Sequence, residues 1–236
     1  MIQDFISNEG KKGLSLFFAG WGMDKRPFGS LACKDMDIMI CYDYTDTGFD
    51  YRLIERYGTI MITAWSMGVW AAGKIIPCLK AKGKEITRAT AINGTLLPVS
   101  DLYGIPEKIF SGTLEGFSEK TLTKFRRRMC GDTANYELFM SGAPLRSIGS
   151  LHDELASIYK TATSENSSKG LDDTTCAETI KAECQGNWSD AIICTKDRIF
   201  PADNQIRFWT DAGISYELTD RTHYCNDIFS LKITGR

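Results

Sequence analysis

The segment that most constrains this chain is Ala64-Trp65-Ser66-Met67-Gly68. It follows an apolar run, Thr59-Ile60-Met61-Ile62-Thr63, and leads into a helical stretch, Val69 to Lys82. A buried strand, a sharp turn with a serine at its tip and a helix are thereby set in series. This is the context of a nucleophile elbow of the G-x-S-x-G type, with Ala64 in the place of the first glycine. Small residues flank the serine in such a turn because its strained backbone leaves no room for larger side chains. On this reading Ser66 is a nucleophile. Taken alone, the pentapeptide also fits a plain serine cap at a helix N-terminus. The rest of the chain has to decide between them.

The surrounding pattern is that of alternating strands and helices. Short, nearly continuous apolar runs occur at Leu14 to Phe18, Asp37 to Tyr42, Thr59 to Ala64 and Ile86 to Ile92. Runs of this kind suit parallel strands buried on both faces. From about Asp101 to Asn187 no convincing buried strand is found. Helical periodicity takes over at Glu119 to Met129, Ser147 to Thr163 and Ala177 to Cys184, and Ser164 to Thr175 reads as a polar loop. The alternation resumes with a strand at Ala191 to Cys194, a helix from Ala202 to Ala212, a strand at Ser215 to Leu218 and a short helix near Asn226 to Leu231. The expected architecture is an α/β fold with a mostly parallel central sheet flanked by helices. Residues 1–100 and 188–236 would form this core, and residues 101–187 an inserted helical lid.

Bulk properties narrow the function classes. Hydrophobic residues make up 43% and charged residues 25%, which marks a globular chain. A net charge of −2 gives no general attraction to nucleic acid or to a membrane surface. No apolar run approaches membrane-spanning length, and the first residues do not form a secretory signal, so the expected location is the cytoplasm. The eight cysteines contain no C-x-x-C pair, and there are only two histidines. Metal binding is therefore not expected, and the cysteines are read as free thiols.

A serine hydroxyl needs a base to take its proton, and the base needs a third group to orient it. The α/β-hydrolases supply these in the chain order serine, acid, histidine. Asp197 lies in the turn after the strand that follows the helical segment, ahead of Pro201 and a helix. Its other reading is a turn-forming aspartate. Asp190 and Asp203 are weaker rivals because neither directly follows that strand. His223 lies on the loop after the last strand. His152 sits in the helical segment, where it reads as a solvated residue. The oxyanion of the reaction needs two backbone N–H donors, one from the residue after the nucleophile and one from an early loop. Met67 and Trp21, in Gly20-Trp21-Gly22, fit these places. Trp21 and Trp65 could also wall an acyl pocket or simply pack the core.

The helical segment holds one further signal. Residues Lys120 to Arg128 carry five cations (Lys120, Lys124, Arg126, Arg127 and Arg128) and no acid. Leu122, Phe125 and Met129 fall on one face of the same helix. The stretch reads either as a solvated helix surface or as a docking patch for an acidic partner such as an acyl carrier.

Four segments taken together resemble the BioG family, the pimeloyl-[acyl-carrier protein] methyl ester esterases of biotin synthesis. They are Phe18-Ala19-Gly20-Trp21-Gly22-Met23-Asp24, the elbow from Ala64 to Trp70, Ala91-Ile92-Asn93-Gly94-Thr95, and Phe125-Arg126-Arg127-Arg128-Met129-Cys130. The resemblance covers most of the chain and is densest in the first 130 residues. It implies an α/β-hydrolase fold and hydrolysis of the methyl ester at the far end of a carrier-bound pimeloyl chain, with no cofactor. Carried over, Ser66 is the nucleophile, His223 the base and Asp197 the acid. Trp21 and Met67 are the oxyanion donors. Lys124, Arg126, Arg127 and Arg128 become candidates for contact with the carrier, and Trp21 for contact with the acyl chain. Ala64 agrees with this family although it departs from the wider elbow pattern. Two other functions fit the same residues: a carboxylesterase or thioesterase for another acyl substrate, and a non-catalytic protein that binds an acyl carrier.

Overall fold

The computed structural model of the chain describes residues 1–168 and 175–235. Seven strands form one sheet: β1 (Ile2–Ser7), β2 (Gly13–Phe18), β3 (Met36–Tyr42), β4 (Thr59–Trp65), β5 (Glu85–Ile92), β6 (Asp190–Cys194) and β7 (Tyr216–Thr219). Their spatial order is β1-β3-β2-β4-β5-β6-β7. Every neighbouring pair is parallel except β1 with β3, which is antiparallel. The central strands explain the continuous apolar runs: every residue of β2 is buried, because helices cover both faces of a parallel sheet. The edge strand β1 was not expected from sequence. Ile2 is exposed and the rest of the strand half-buried, since an edge strand has one neighbour, and polar residues such as Gln3 and Asp4 interrupt its apolar ones.

The helices are α1 (Met67–Ala81), α2 (Glu107–Glu115), α3 (Glu119–Cys130), α4 (Thr133–Ser141), α5 (Ile148–Ser168), α6 (Thr175–Cys184), α7 (Ala202–Asp211) and α8 (Asn226–Thr234). Helices α2 to α6 all lie between β5 and β6 in the chain. The polar stretch expected as a loop from Ser164 to Thr175 is helical through Ser168, and α6 already begins at Thr175. The remainder of that expected loop lies outside the described residues. Helix α3 starts at a reciprocal capping pair, Ser118 with Thr121, which satisfies two backbone donors at the helix end. Among the described residues no helix is long and apolar enough to cross a membrane.

An aromatic cluster locks α8 to the sheet and to the chain before it. Phe229 packs against Phe17, Phe28, Trp65 and Tyr224, with ring centroids 4.8–6.1 Å apart. Each such pair adds about 0.5–1.5 kcal/mol beyond the area it buries. The cluster holds the last helix, and so the loop ahead of it, against the end of β4 where the elbow begins.

Parallel strands all present their carboxyl ends on one side, and the connecting loops gather there. The segment after β2 holds Trp21. The one after β4 holds Ser66, those after β5 and β6 hold Asn93 and Asp197, and that after β7 holds His223.

Candidate active site

Ser66 sits at the junction of β4 and α1 with φ 56° and ψ −123°. A serine has no intrinsic preference for this region, so the turn is strained and must be held by its surroundings. Two glycines show how. A Cβ on Gly94 would collide with the carbonyl oxygen of Ser66 and stand 2.9 Å from Val69 Cγ2, and one on Gly20 would come within 3.3 Å of Ser66 Cβ. The segment just after β5 therefore passes too close to the serine for a side chain at Gly94, and the loop after β2 packs tightly against it at Gly20. The N–H of Ser66 donates to Ile92 O at 2.9 Å.

The three residues expected to work together are brought together. Ser66 Oγ lies 3.0 Å from His223 Nε2, and His223 Nδ1 lies 2.7 Å from Asp197 Oδ2. A carboxylate can only accept, so Nδ1 carries the proton and Nε2 is left to accept from the serine hydroxyl. The His223 side chain is 2% exposed and that of Asp197 is 0% exposed. Asp197 is itself fixed: its Oδ1 accepts the N–H groups of Ile199 and Phe200 at 2.8 and 2.9 Å. Its Oδ2 faces Gln205 Nε2 at 3.4 Å. The expected turn geometry and the expected hydrogen bond to histidine thus coexist in one aspartate.

Two residues the sequence did not single out complete the frame. Asn93, with φ 49°, donates from Nδ2 to His223 O at 3.0 Å and accepts at Oδ1 from the N–H of Cys194 at 2.8 Å. Trp65 Nε1 donates to the same His223 carbonyl at 3.0 Å. Asn93 thus ties β5, β6 and the histidine loop at one point. The other is Glu154 on α5, which accepts from Gly22 N–H at 3.2 Å and Tyr44 N–H at 3.0 Å and pairs with Arg146. A signal for it existed: Leu151, Glu154, Leu155 and Ile158 share one helical stripe, and all four are buried.

The rivals lie elsewhere. Asp190 pairs with Arg88, Asp203 is exposed in the first turn of α7, and the half-exposed His152 faces Asp153 at 3.5 Å.

A cleft opens at Ser66 and His223. Gly20, Trp21, Trp65 and Met67 line it, together with Ile105, Phe110, Phe125 and Arg128 from the chain after β5. Its walls are mostly apolar. Trp21 is anchored by Nε1 to Leu151 O at 2.9 Å and packs edge-on against Phe117 and Phe125, at 5.5 and 5.0 Å. The four basic residues proposed from sequence diverge. Lys124 and Arg127 are exposed, Arg127 lying over the Tyr136 ring. Arg128 is exposed and also lines the cleft. Arg126 is half-buried over Phe139, and burial lowers its pKa. Among the described residues no group of histidine, cysteine or acidic side chains is placed to hold a metal ion. The seven cysteines whose side chains are described are unpaired.

Fold and site together define an α/β-hydrolase. A solved BioG from Haemophilus influenzae matches this structure with a TM-score of 0.80 and 32% identity, covering 98% of this chain and 97% of that one. A carboxylesterase of Nitrososphaera gargenis matches with a TM-score of 0.60 at 11% identity, over 100% of this chain and 89% of that one, a likeness of fold alone. The family model described as pimeloyl-ACP methyl esterase BioG matches residues 1–232, and the chain belongs to that family. In sequence it is 39% identical over 214 residues to a protein of Bacteroides fragilis named malonyl-[acyl-carrier protein] O-methyltransferase. That match takes in 91% of this chain, which spans 40% of the relative's length.

Proposed function

We propose that this chain is a serine esterase that removes the methyl group from a pimeloyl methyl ester held on acyl carrier protein. The observation that carries the reading is the continuous buried relay from Ser66 Oγ through His223 to Asp197, with Ser66 and His223 lining an apolar cleft. Membership of a pimeloyl-ACP methyl esterase family supports the substrate.

The chemistry follows from the placement. His223 Nε2 takes the Ser66 proton as Oγ attacks the ester carbonyl. The backbone N–H groups of Trp21 and Met67 receive the oxyanion. Collapse expels methoxide, which takes the proton from Nε2 and leaves as methanol. Water, activated by the same nitrogen, then cleaves the acyl-enzyme, freeing the carboxylate and restoring the serine. Asp197 keeps the imidazole in the required tautomer and stabilises its charged form. The apolar walls suit a methylene chain with an uncharged end.

We further propose that residues 101–187 act as a lid on a core of residues 1–100 and 188–236. On this lid Lys124, Arg127 and Arg128 would face an acidic carrier, whereas the half-buried Arg126 serves packing. The test is a comparison of kcat/KM on the carrier-bound pimeloyl methyl ester and on a free short methyl ester. A strong preference for the carrier-bound ester is expected. Equal values would leave a general esterase.

A further inference from the structure

Glu154 is a carboxylate with no role in the chemistry described above, yet its side chain is fully buried. Three groups from different parts of the chain converge on it. Oε2 accepts the N–H of Gly22, one residue beyond Trp21, at 3.2 Å. Oε1 accepts the N–H of Tyr44, in the segment after β3, at 3.0 Å. Arg146 pairs with it and, through its other nitrogen, with Asp43 at 2.9 Å. The Tyr44 hydroxyl in turn donates to Ala19 O at 2.7 Å, at the root of the same loop as Gly22. One turn earlier on α5, the Leu151 carbonyl accepts Trp21 Nε1 at 2.9 Å.

The loop from Ala19 to Gly22 is therefore held at its root, at the Trp21 ring and just past the Trp21 backbone. Two of these three restraints come from α5. Gly22 has φ 76°, a conformation most side chains avoid, so the loop needs an external partner to keep its N–H groups aimed. Burying an ionised carboxylate costs stability unless it is fully partnered. This one accepts two backbone donors from two loops, a task a neutral side chain of the same shape cannot match, because it offers one acceptor oxygen instead of two.

We propose that Glu154 is a positioning residue for the oxyanion site: it fixes the Trp21–Gly22 backbone from helix α5, so that the helical insertion and the oxyanion donor are assembled as one unit. The inference rests on the reading of Trp21 N–H as an oxyanion donor. Glu154 does not touch the substrate in this account. It acts through the backbone of Gly22. Donors must sit at hydrogen-bond distance from where the oxyanion forms, and losing one commonly lowers kcat by about 10²–10³-fold.

The test uses Glu154→Gln and Glu154→Asp in the full chain. Activity is measured with a p-nitrophenyl ester, which needs the serine and the oxyanion site but no carrier. Binding is measured with a trifluoromethyl ketone, which forms a tetrahedral adduct on the serine, and with a non-reactive amide analogue of the ester. The expected result for Glu154→Gln is a fall in kcat of at least about tenfold with KM nearly unchanged. Affinity for the ketone should fall in parallel while that for the amide holds. Glu154→Asp keeps the charge and withdraws the oxygens by one methylene, and should give an intermediate kcat. Loss confined to KM, or equal loss of ketone and amide binding, would overturn the proposal, as would unchanged kcat. Failure of both variants to fold would reduce Glu154 to a structural residue and equally overturn it. If instead the unaltered protein fails to hydrolyse the p-nitrophenyl ester, the esterase reading itself falls.

Discussion

Replacing Gly68 by alanine should damage this protein at two levels, and the size of each follows from the packing. Gly68 is in the first turn of α1, and a Cβ there would collide with Phe18 O and come within 2.6 Å of the Phe18 carbonyl carbon and 2.7 Å of Ala19 O. All three atoms are backbone, at the end of β2 and the start of the Trp21 loop. They cannot rotate away, so helix and strand must part by roughly 1 Å to restore ordinary contact. Overpacking of this kind costs about 1–3 kcal/mol, and the better helix propensity of alanine returns about 1 kcal/mol of it. The elbow and the Trp21 loop are the two parts forced apart, and a misplacement of about 1 Å can cost about 10²-fold in rate. Gly73 supplies the control. It lies in the same helix, but its added Cβ would meet the Leu96 side-chain tip, Cδ2, with Cγ at 3.6 Å, and that side chain can move. Urea unfolding and kcat/KM on a p-nitrophenyl ester should show Gly68→Ala less stable and about 10²-fold slower. Gly73→Ala should stay within about 1 kcal/mol and about twofold of the unaltered protein. If both variants keep full activity, the close contact between α1 and the end of β2 does not set the site's geometry and the reasoning is refuted.

Two further predictions concern charge. Burial pushes the Glu154 carboxyl from 4.5 up to about 7, against the opposing pull of Arg146, while Asp43 adds to the rise. Above about pH 7 the carboxylate is ionised and accepts both N–H groups, and between pH 4.5 and about 7 the folded state holds a proton that the unfolded state has released. On this account the group's contribution to stability is full below pH 4.5 and is lost as pH rises through about 7. The stability difference between the unaltered protein and Glu154→Gln should shrink by about 3 kcal/mol between pH 4.5 and pH 8. A flat difference across that range would contradict it. For the basic helix, Lys124→Glu with Arg127→Glu should lower kcat/KM on the carrier-bound ester by about tenfold at low salt, and less as salt is raised. Activity on a free p-nitrophenyl ester should not change. Loss on both substrates would point to damage at the site and against a docking role.

Much of the core was legible because buried parallel strands write themselves as unbroken apolar runs. The elbow was legible because a serine between such a run and a helix has few structural explanations. The places of Asp197 and His223 follow from topology: in a parallel sheet, loops after successive strands converge. What stayed hidden was hidden for physical reasons. The edge strand β1 mixes polar with apolar residues because only one side of it is paired. Helices α2 and α4 are nine residues each, and α2 contains Gly112, so neither shows a long periodic stripe. Asn93 was visible only as part of a motif. Its positive φ and its two-way hydrogen bonding depend on strands distant in sequence. Glu154 carried a signal, a carboxylate on an apolar helical stripe, but its partners Gly22, Tyr44 and Arg146 could not be paired with it from sequence. The arginine run was legible as charge, whereas the inward turn of Arg126 over Phe139 depends on where α4 packs.

The central claim is that Ser66 attacks a methyl ester carried on acyl carrier protein. The most direct measurement is methanol release from pimeloyl-carrier methyl ester by the unaltered protein and by Ser66→Ala. Release by the unaltered protein and none by the variant is the predicted result. Release undiminished in the variant would remove Ser66 from the mechanism, and no release by the unaltered protein would contradict the substrate assignment.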